Sequence, residues 1–385
     1  MTTPATTTPA ATTPVAGHPA TEPLSFAGLR LTNRFAVAPM TRVSATEDGV
    51  PTPEMADYYA EFAKGGFGLV ITEGTYTDTT FSQGYARQPG IVAGRHVSAW
   101  TAIVDRVKAA GTPIVLQLMH AGALSQGNHY RTETLGPSAV RPRGEKMPEY
   151  GGSGPWDVPR AMTPDDIEEA VEGFVASAVN ARRAGFQGVE VHAANGYLLD
   201  QFLTDYTNER TDRFGGDAHN RVRLTATVLN RIRVALGPDF VVGVRLSQTK
   251  VNDFTHRWSG PAEAETIFRA VAEAGASYLH VASEGRDWLE TAKLEGGETI
   301  TALARRVTGL PVIANGGMHK LDQAGRLLTE GHADVLSIGR GALANPDLPY
   351  RVTKGEALDR FDHTMVQPMA TLENARLWRE KRDAV

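Results

Sequence analysis

A chain of 385 residues is long for an average domain yet within the range of one α/β barrel, so length alone does not force a split. With 39 basic against 44 acidic residues the formal charge is −5, too mild and too mixed for a nucleic-acid or anionic-membrane partner, and small molecules are the better expectation. Cysteine is absent, which excludes disulfides, thiolate metal sites, iron–sulfur clusters and cysteine nucleophiles, and fits a cytoplasmic location.

Residues 1–22 are Thr/Pro/Ala-rich and lack the basic start and apolar core of a signal peptide. They read as a disordered tail ahead of a single domain over 23–385. No apolar run is long enough to span a bilayer. Past the tail, short Val/Ile/Leu-rich runs alternate with longer helical patterns: FAVAP (35–39), FGLVIT (67–72), PIVLQL (113–118), GVEVH (188–192), FVVGVRL (240–246), YLHVA (278–282), PVIAN (311–315) and DVLSIG (334–339). Eight such runs predict an α/β fold, a single (β/α)8 TIM barrel.

The helix before the fourth strand is well punctuated. Thr163 serves as N-cap, Pro164 takes the first helical position, Asp165 and Asp166 complement the dipole, and Gly185 closes the element. Val171, Phe174, Val175 and Ala178 share one helical face, as do Phe268, Val271 and Ala272 before Gly275, and core packing accounts for both sets. Two connections break the rhythm. About Ala121 to Met162, after the third strand, is long and rich in Gly and Pro, and reads as a lid over a barrel mouth; Ser247 to Ser259 reads as a second wall.

Chemistry in such a barrel sits at the C-terminal strand ends. The polar residues there are Thr41, Gln117, His192, Arg245 and His280, with glycine loops after the last two strands. Alternation aims Arg245 inward. It either pairs with Glu190, which shares a face with His192, or serves an anion or an electron-rich ring. The amide of Gln117, inside an apolar run, either bonds neighbouring backbone or meets a ring with donors and acceptors. Gly316 and Gly317 in ANGGM, and Gly339 with Arg340 in SIGRGALANP, suit a phosphate held on backbone N–H groups. GRGALA also fits the GxGxxA dinucleotide fingerprint, but Pro346 interrupts the helix that should follow and no strand with an acidic ribose ligand comes after it.

In HAANGYLLDQF, beginning at His192, an imidazole and the amide of Asn195 offer two hydrogen bonds to one oxygen, and the phenol of Tyr197 offers a proton at neutral pH because its reference pKa is about 10. That set suits polarising a carbonyl or nitro oxygen while a neighbouring carbon is protonated.

Over nearly everything after the tail, the sequence resembles the Old Yellow Enzyme family of FMN-dependent ene-reductases: NRFAVAPMTR, GLVITEGT, QLMHAG, HAANGYLLDQF, NERTDRFGG, VGVRLS, ANGG and IGRGALANPDLP come in the family's order. The resemblance implies that Pro39, Met40 and Thr41 run along a noncovalent FMN, that Gly74 and Gln117 meet its polar edge, and that Arg245 faces its N1 and C2 carbonyl region. It implies a phosphate on Gly316, Gly317, Gly339 and Arg340, a substrate-oxygen clamp of His192 and Asn195, a proton donor in Tyr197, and a pocket with Tyr85 at its mouth. Thr41 stands where many members have cysteine, Asn195 where others have a second histidine, and Met119 where some have tryptophan.

The expected activity is reduction of FMN by NADH or NADPH, then of an activated alkene (enone, enal, maleimide or nitroalkene), in a monomer or homodimer. Alternatives are a dihydroorotate or 2-hydroxy-acid oxidoreductase, a nitrate ester or nitroaromatic reductase, or a non-catalytic flavin-binding protein. A flavin-free lyase is disfavoured because none of the predicted strand ends carries a Schiff-base lysine. A metal hydrolase on Glu190, His192 and His280 lacks a recognised ligand spacing.

Overall fold

The computed structural model describes residues 17–282 and 288–383. Its core is a closed ring of eight parallel strands: β1 (Phe35–Val37), β2 (Leu69–Ile71), β3 (Ile114–Met119), β4 (Gly188–Asn195), β5 (Val241–Lys250), β6 (Tyr278–Ala282), β7 (Val312–Asn315) and β8 (Val335–Ile338). β2 closes the ring by pairing with both β1 and β3, and β8 pairs with β1. All eight predicted runs are strands of this α/β barrel. β4 and β5 run further than expected, because a bulge after Leu246 lets β5 stay beside β4 until Lys250 lies opposite Asn195.

The period-two pattern decides which side chains enter the barrel. In β5, Val242, Val244 and Leu246 pack outward in the large cluster shared with the helices, while Val241 packs inside with Leu69, Val115, Ile313 and Val335. A hairpin of Leu24–Phe26 and Leu29–Leu31 joins that inner cluster. The polar residues at the other end of the same inward rows are thereby lifted towards one mouth.

Outside the ring lie α1 (Pro53–Lys64), α2 (Gly94–Ala109), α3 (Pro164–Arg183), α4 (Leu198–Leu203), α5 (Arg223–Leu236), α6 (Pro261–Glu273), α7 (Ile300–Thr308) and α8 (Leu321–Thr329). α3 begins as its sequence predicts. Thr163 Oγ1 accepts from the Asp166 N–H, and the Asp166 carboxylate answers from the Thr163 N–H at 2.7 Å, a reciprocal cap. Gly185, at φ +89°, follows the last turn.

Of the expected tail, residues 1–16 lie outside the described residues, and 17–22 depart from the expectation. Pro19–Thr21 form a 3-10 turn whose His18 ring is buried, donating from Nε2 to the Leu321 carbonyl at 2.9 Å and accepting the Ala20 N–H at Nδ1. Two hydrogen bonds and a buried ring are enough to order so short a piece.

Gly243 marks a close approach inside the barrel. A Cβ there would lie 2.0 Å from the Tyr278 ring, whose hydroxyl is committed to Glu190 at 3.0 Å. We expect Gly243→Ala to cost about 1–3 kcal/mol, read as a lower midpoint in urea unfolding. An unchanged midpoint would show that the ring can shift freely.

Candidate active site

One cavity of about 1110 Å³ opens at the C-terminal strand ends. Drug-sized pockets usually hold roughly 300–1,000 Å³, so there is room for a cofactor and a second reactant together. The structure brings nearly every predicted site residue to its wall: Pro39, Met40 and Thr41 after β1, Gly74 after β2, Gln117 and Met119 on β3, His192 and Asn195 on β4, Tyr197, Arg245 on β5, Gly316 and Gly317 after β7, and Gly339 and Arg340 after β8.

Tyr85 is the exception. It is fully buried rather than at the mouth, and its hydroxyl shares a hydrogen bond with that of Tyr197. The packing explains the displacement: Tyr85 belongs to an apolar cluster with Val43, Leu124 and Trp156, and its ring sits 4.7 Å from that of Tyr150. Tyr150 itself, borne on the long insertion after β3, lines the cavity with its neighbours Glu145 to Glu149. Sequence reasoning placed that insertion over the mouth without naming Tyr150, whose only signal was an aromatic amid the glycines of EYGGSG. It also missed Phe254, Met318, His319, Phe361 and His363, all of which line the cavity.

The floor is a connected polar network. The Glu190 carboxylate accepts from Gln117 Nε2 at 2.8 Å and from Tyr278, and lies 2.8 Å from His280 Nδ1; His280 Nε2 reaches Ser337 Oγ at 2.8 Å. Burial pushes the Glu190 pKa up, but His280 and Arg245 more than offset it, so the carboxyl stays ionised. Arg245 donates from Nη2 to Asn315 Oδ1 at 3.0 Å, and Asn315 donates in turn to the Ser337 carbonyl. The guanidinium is thus held at the cavity floor by an amide as well as by the charge of Glu190. Among the described residues no group of three or more His, Asp and Glu side chains could hold a metal ion.

Above this floor the wall is unsatisfied. His192 Nδ1 and Asn195 Oδ1 are buried with no hydrogen-bond partner, although buried polar atoms almost always have one. The His192 ring lies 5.0 Å from that of Tyr197 at a steep angle. Burial, then Arg245 and His280, hold the His192 pKa well below its ordinary value, so the imidazole is neutral near pH 7 and acts through a neutral N–H.

These features fit a flavin mononucleotide. The buried cation Arg245 matches a ring that gains negative charge on reduction. Gly316 (φ +122°) and Gly317 (φ +69°) bring backbone without side chains of its own to the same wall as the exposed Arg340, a pairing that suits a phosphate. GRGALA is a short helix, Arg340–Ala344, ended at Asn345, not the opening of a nucleotide-binding unit.

Comparison with known proteins agrees. Residues 21–359 match the NADH:flavin oxidoreductase / NADH oxidase family. A probable flavin mononucleotide-dependent alkene reductase of Leishmania infantum is 33% identical over 356 residues, 89% of this chain and 92% of that one. The chain belongs to the Old Yellow Enzyme family. The solved Old Yellow Enzyme homologue of Zymomonas mobilis superposes with a TM-score of 0.80 at 32% identity, covering 89% of this chain and 94% of that chain. The NADH oxidase of Thermoanaerobacter brockii is 31% identical over 334 residues, 85% of this chain, which spans only 49% of that longer relative. As a member of the family, the chain is an NAD(P)H-dependent flavin oxidoreductase with FMN as cofactor. Among the described residues no helix is long and apolar enough to cross a membrane.

Behind the β1 side of this Old Yellow Enzyme cavity, the Glu73 carboxylate accepts the Arg42 N–H at 2.9 Å and the Tyr59 hydroxyl at 3.1 Å. Burial pushes its pKa up to about 7, despite those hydrogen bonds and the Arg42 charge. A carboxyl that binds its proton more tightly when folded lends stability that is complete below its ordinary value of 4.5 and fades as pH rises to about 7. Glu73→Gln is therefore expected to lose less melting temperature than the parent across that interval. Parallel melting curves for the two proteins would show that Glu73 does not titrate there.

Proposed function

We propose that the chain is an ene-reductase acting on activated alkenes such as enones, enals, maleimides and nitroalkenes, and that NAD(P)H and the alkene use the one cavity in turn. The observation that carries this reading is the buried, partnerless His192 Nδ1, in the same wall as the Asn195 amide and the Tyr197 phenol. The chemistry FMN supplies when bound is two-electron carriage between a reduced nicotinamide and an electron-poor alkene. Pro39, Met40, Thr41, Gly74 and Gln117 would border its ring, Arg245 its pyrimidine side, and Gly316, Gly317, Gly339 and Arg340 its phosphate.

The chain's own work is binding and proton transfer. The His192 imidazole N–H and the Asn195 Nδ2 amide donate to the carbonyl or nitro oxygen of the acceptor, drawing charge off the double bond and making its β-carbon electrophilic. As the β-carbon gains a hydride, charge moves on to the oxygen and the α-carbon, and Tyr197 gives its phenolic proton to the α-carbon. Two electrons and two hydrogens are thus added, and NAD(P)H leaves as NAD(P)⁺. Burial first, then Tyr197, holds the Tyr85 pKa well above 10, so Tyr85 keeps its proton and donates a hydrogen bond to the Tyr197 oxygen as that oxygen becomes anionic, until solvent returns a proton to it.

Met119, narrower and more pliant than tryptophan, and Tyr150 would shape acceptor preference. A lyase reading fails on geometry. β5 does end in a lysine, contrary to the sequence expectation, but Lys250 is 1% exposed and ion-paired with Asp200. In a direct assay the purified protein should be yellow and should oxidise NADH or NADPH when given 2-cyclohexenone, forming cyclohexanone. A yellow protein that reduces no electron-poor alkene would sink the reading.

A further inference from the structure

The turn that carries the clamp and the proton donor stands on a buried ion pair outside the cavity wall. Lys250 Nζ donates to Asp200 Oδ1 at 2.6 Å and to the Ser247 carbonyl at 3.3 Å, and the two side chains are 1% and 0% exposed. Asp200 Oδ2 accepts the Gly196 N–H at 2.7 Å. Every other backbone polar group of Asn195 and Gly196 is tied as well. The Asn195 N–H goes to Ser247 Oγ at 2.9 Å, and the Asn195 carbonyl accepts from the Val251 N–H at 3.2 Å. The Gly196 carbonyl accepts from Gln201 Nε2 at 2.7 Å. Ser247 in turn donates to the Thr249 carbonyl at 2.6 Å.

This bracing has something to hold. Asn195 sits at φ +63°, a conformation that costs a non-glycine residue of order 1 kcal/mol and persists only where its surroundings over-determine it. Relaxing Asn195 into the extended region would swing its amide out of the cavity wall and carry Tyr197, two residues on, with it. A buried ion pair is also a poor device for stability, since its desolvation costs about what its attraction returns. Its use is geometric.

We propose that Asp200 and Lys250 are positioning residues: through the Gly196 N–H and the β5 extension they hold Asn195 and Tyr197 at the angles needed to grip and protonate the acceptor. This inference rests on the clamp reading above. It also explains why β5 departs from the strand length its polar sequence suggests, because the bulge after Leu246 exists to bring Lys250 opposite Asn195.

Removing one partner would leave the other charge buried and alone, so the informative variant neutralises both. Asp200→Asn/Lys250→Met keeps an acceptor for the Gly196 N–H and fills the same volume without charge. The probe is 4-chlorophenol, whose phenolate, gripped through its oxygen over an oxidised flavin, gives a long-wavelength absorption band. We expect the double variant to bind FMN at parent stoichiometry yet to hold 4-chlorophenol about 10- to 100-fold more weakly, with a matching rise in KM for 2-cyclohexenone. An equal phenol affinity in parent and double variant would overturn the proposal while leaving the clamp intact. A parent holoenzyme with no phenol band would overturn the clamp and this inference together. Should that double variant not yield folded holoenzyme, Asp200→Asn/Lys250→Gln, equally uncharged and able to hydrogen-bond at both positions, is expected to weaken phenol binding in the same direction, and parent-like affinity there would overturn the proposal equally.

Discussion

Tyr197→Phe is expected to slow alkene reduction by about 10²–10⁴-fold, the usual worth of a positioned general acid, while leaving reduction of the bound flavin by NAD(P)H unchanged. The substitution is narrow in its effects. The ring packs with Val43, Tyr85, Met119, Leu124 and Trp156, and phenylalanine preserves all of that contact. What goes is one O–H, bonded to that of Tyr85, from a residue that lines the cavity beside His192. Tyr85 loses its hydrogen-bond partner, a stability cost of about 1–3 kcal/mol, so flavin content must be matched before rates are compared. Separate anaerobic half-reactions distinguish the outcomes. A loss confined to the alkene half identifies the proton donor, and equal losses in both halves would mean that the phenol only shapes the cavity.

The second large effect concerns the clamp. Removing a single hydrogen-bond donor from a site that stabilises developing oxygen charge costs roughly 10²–10³-fold, and the paired replacement of His192 and Asn195 by alanine is expected to lose at least as much in kcat/KM for 2-cyclohexenone. The two losses should not add, since both groups grip one oxygen. The 4-chlorophenol band should weaken with them, and an undiminished band would exclude the pair as the oxygen clamp. Because burial, Arg245 and His280 keep the imidazole neutral, no protonation of His192 should mark the alkene half-reaction at or above its ordinary pKa of 6.5. A step there that vanishes in His192→Ala would contradict that assignment.

Much of this was legible in the chain itself, for a physical reason. Barrel strands alternate inside and outside, so a polar residue at the end of an apolar strand has few places to go: His192, Arg245 and Gln117 arrive where period two sends them. Gly316, Gly317 and Gly339, at strand ends, reached the same rim, where backbone without side chains leaves room for a ligand. The sequence left open whether Arg245 pairs with Glu190 or faces a ring. The structure resolves it into a layered answer: Glu190 is taken up by Gln117, Tyr278 and His280, and Arg245 is steadied by Asn315, a residue with no periodic signal of its own.

Long-range pairings were what stayed hidden. SQTK does not read as strand, because its polar groups find their partners only once Asp200 and Asn195 fold beside them. Tyr85 looked like a pocket residue because its stretch matches the family, but its loop folds underneath Tyr197 rather than across the mouth. Tyr150 belongs to an insertion without periodicity, and nothing local announces that its ring will pack, tilted, against that of Tyr85.

The most direct test of the whole account is a single anaerobic turnover of the reduced holoenzyme mixed with excess 2-cyclohexenone and no nicotinamide. One equivalent of cyclohexanone per flavin, formed as the yellow colour returns, is the predicted result. A flavin that stays bleached with the enone unreduced, in protein that NAD(P)H has just reduced normally, would contradict it.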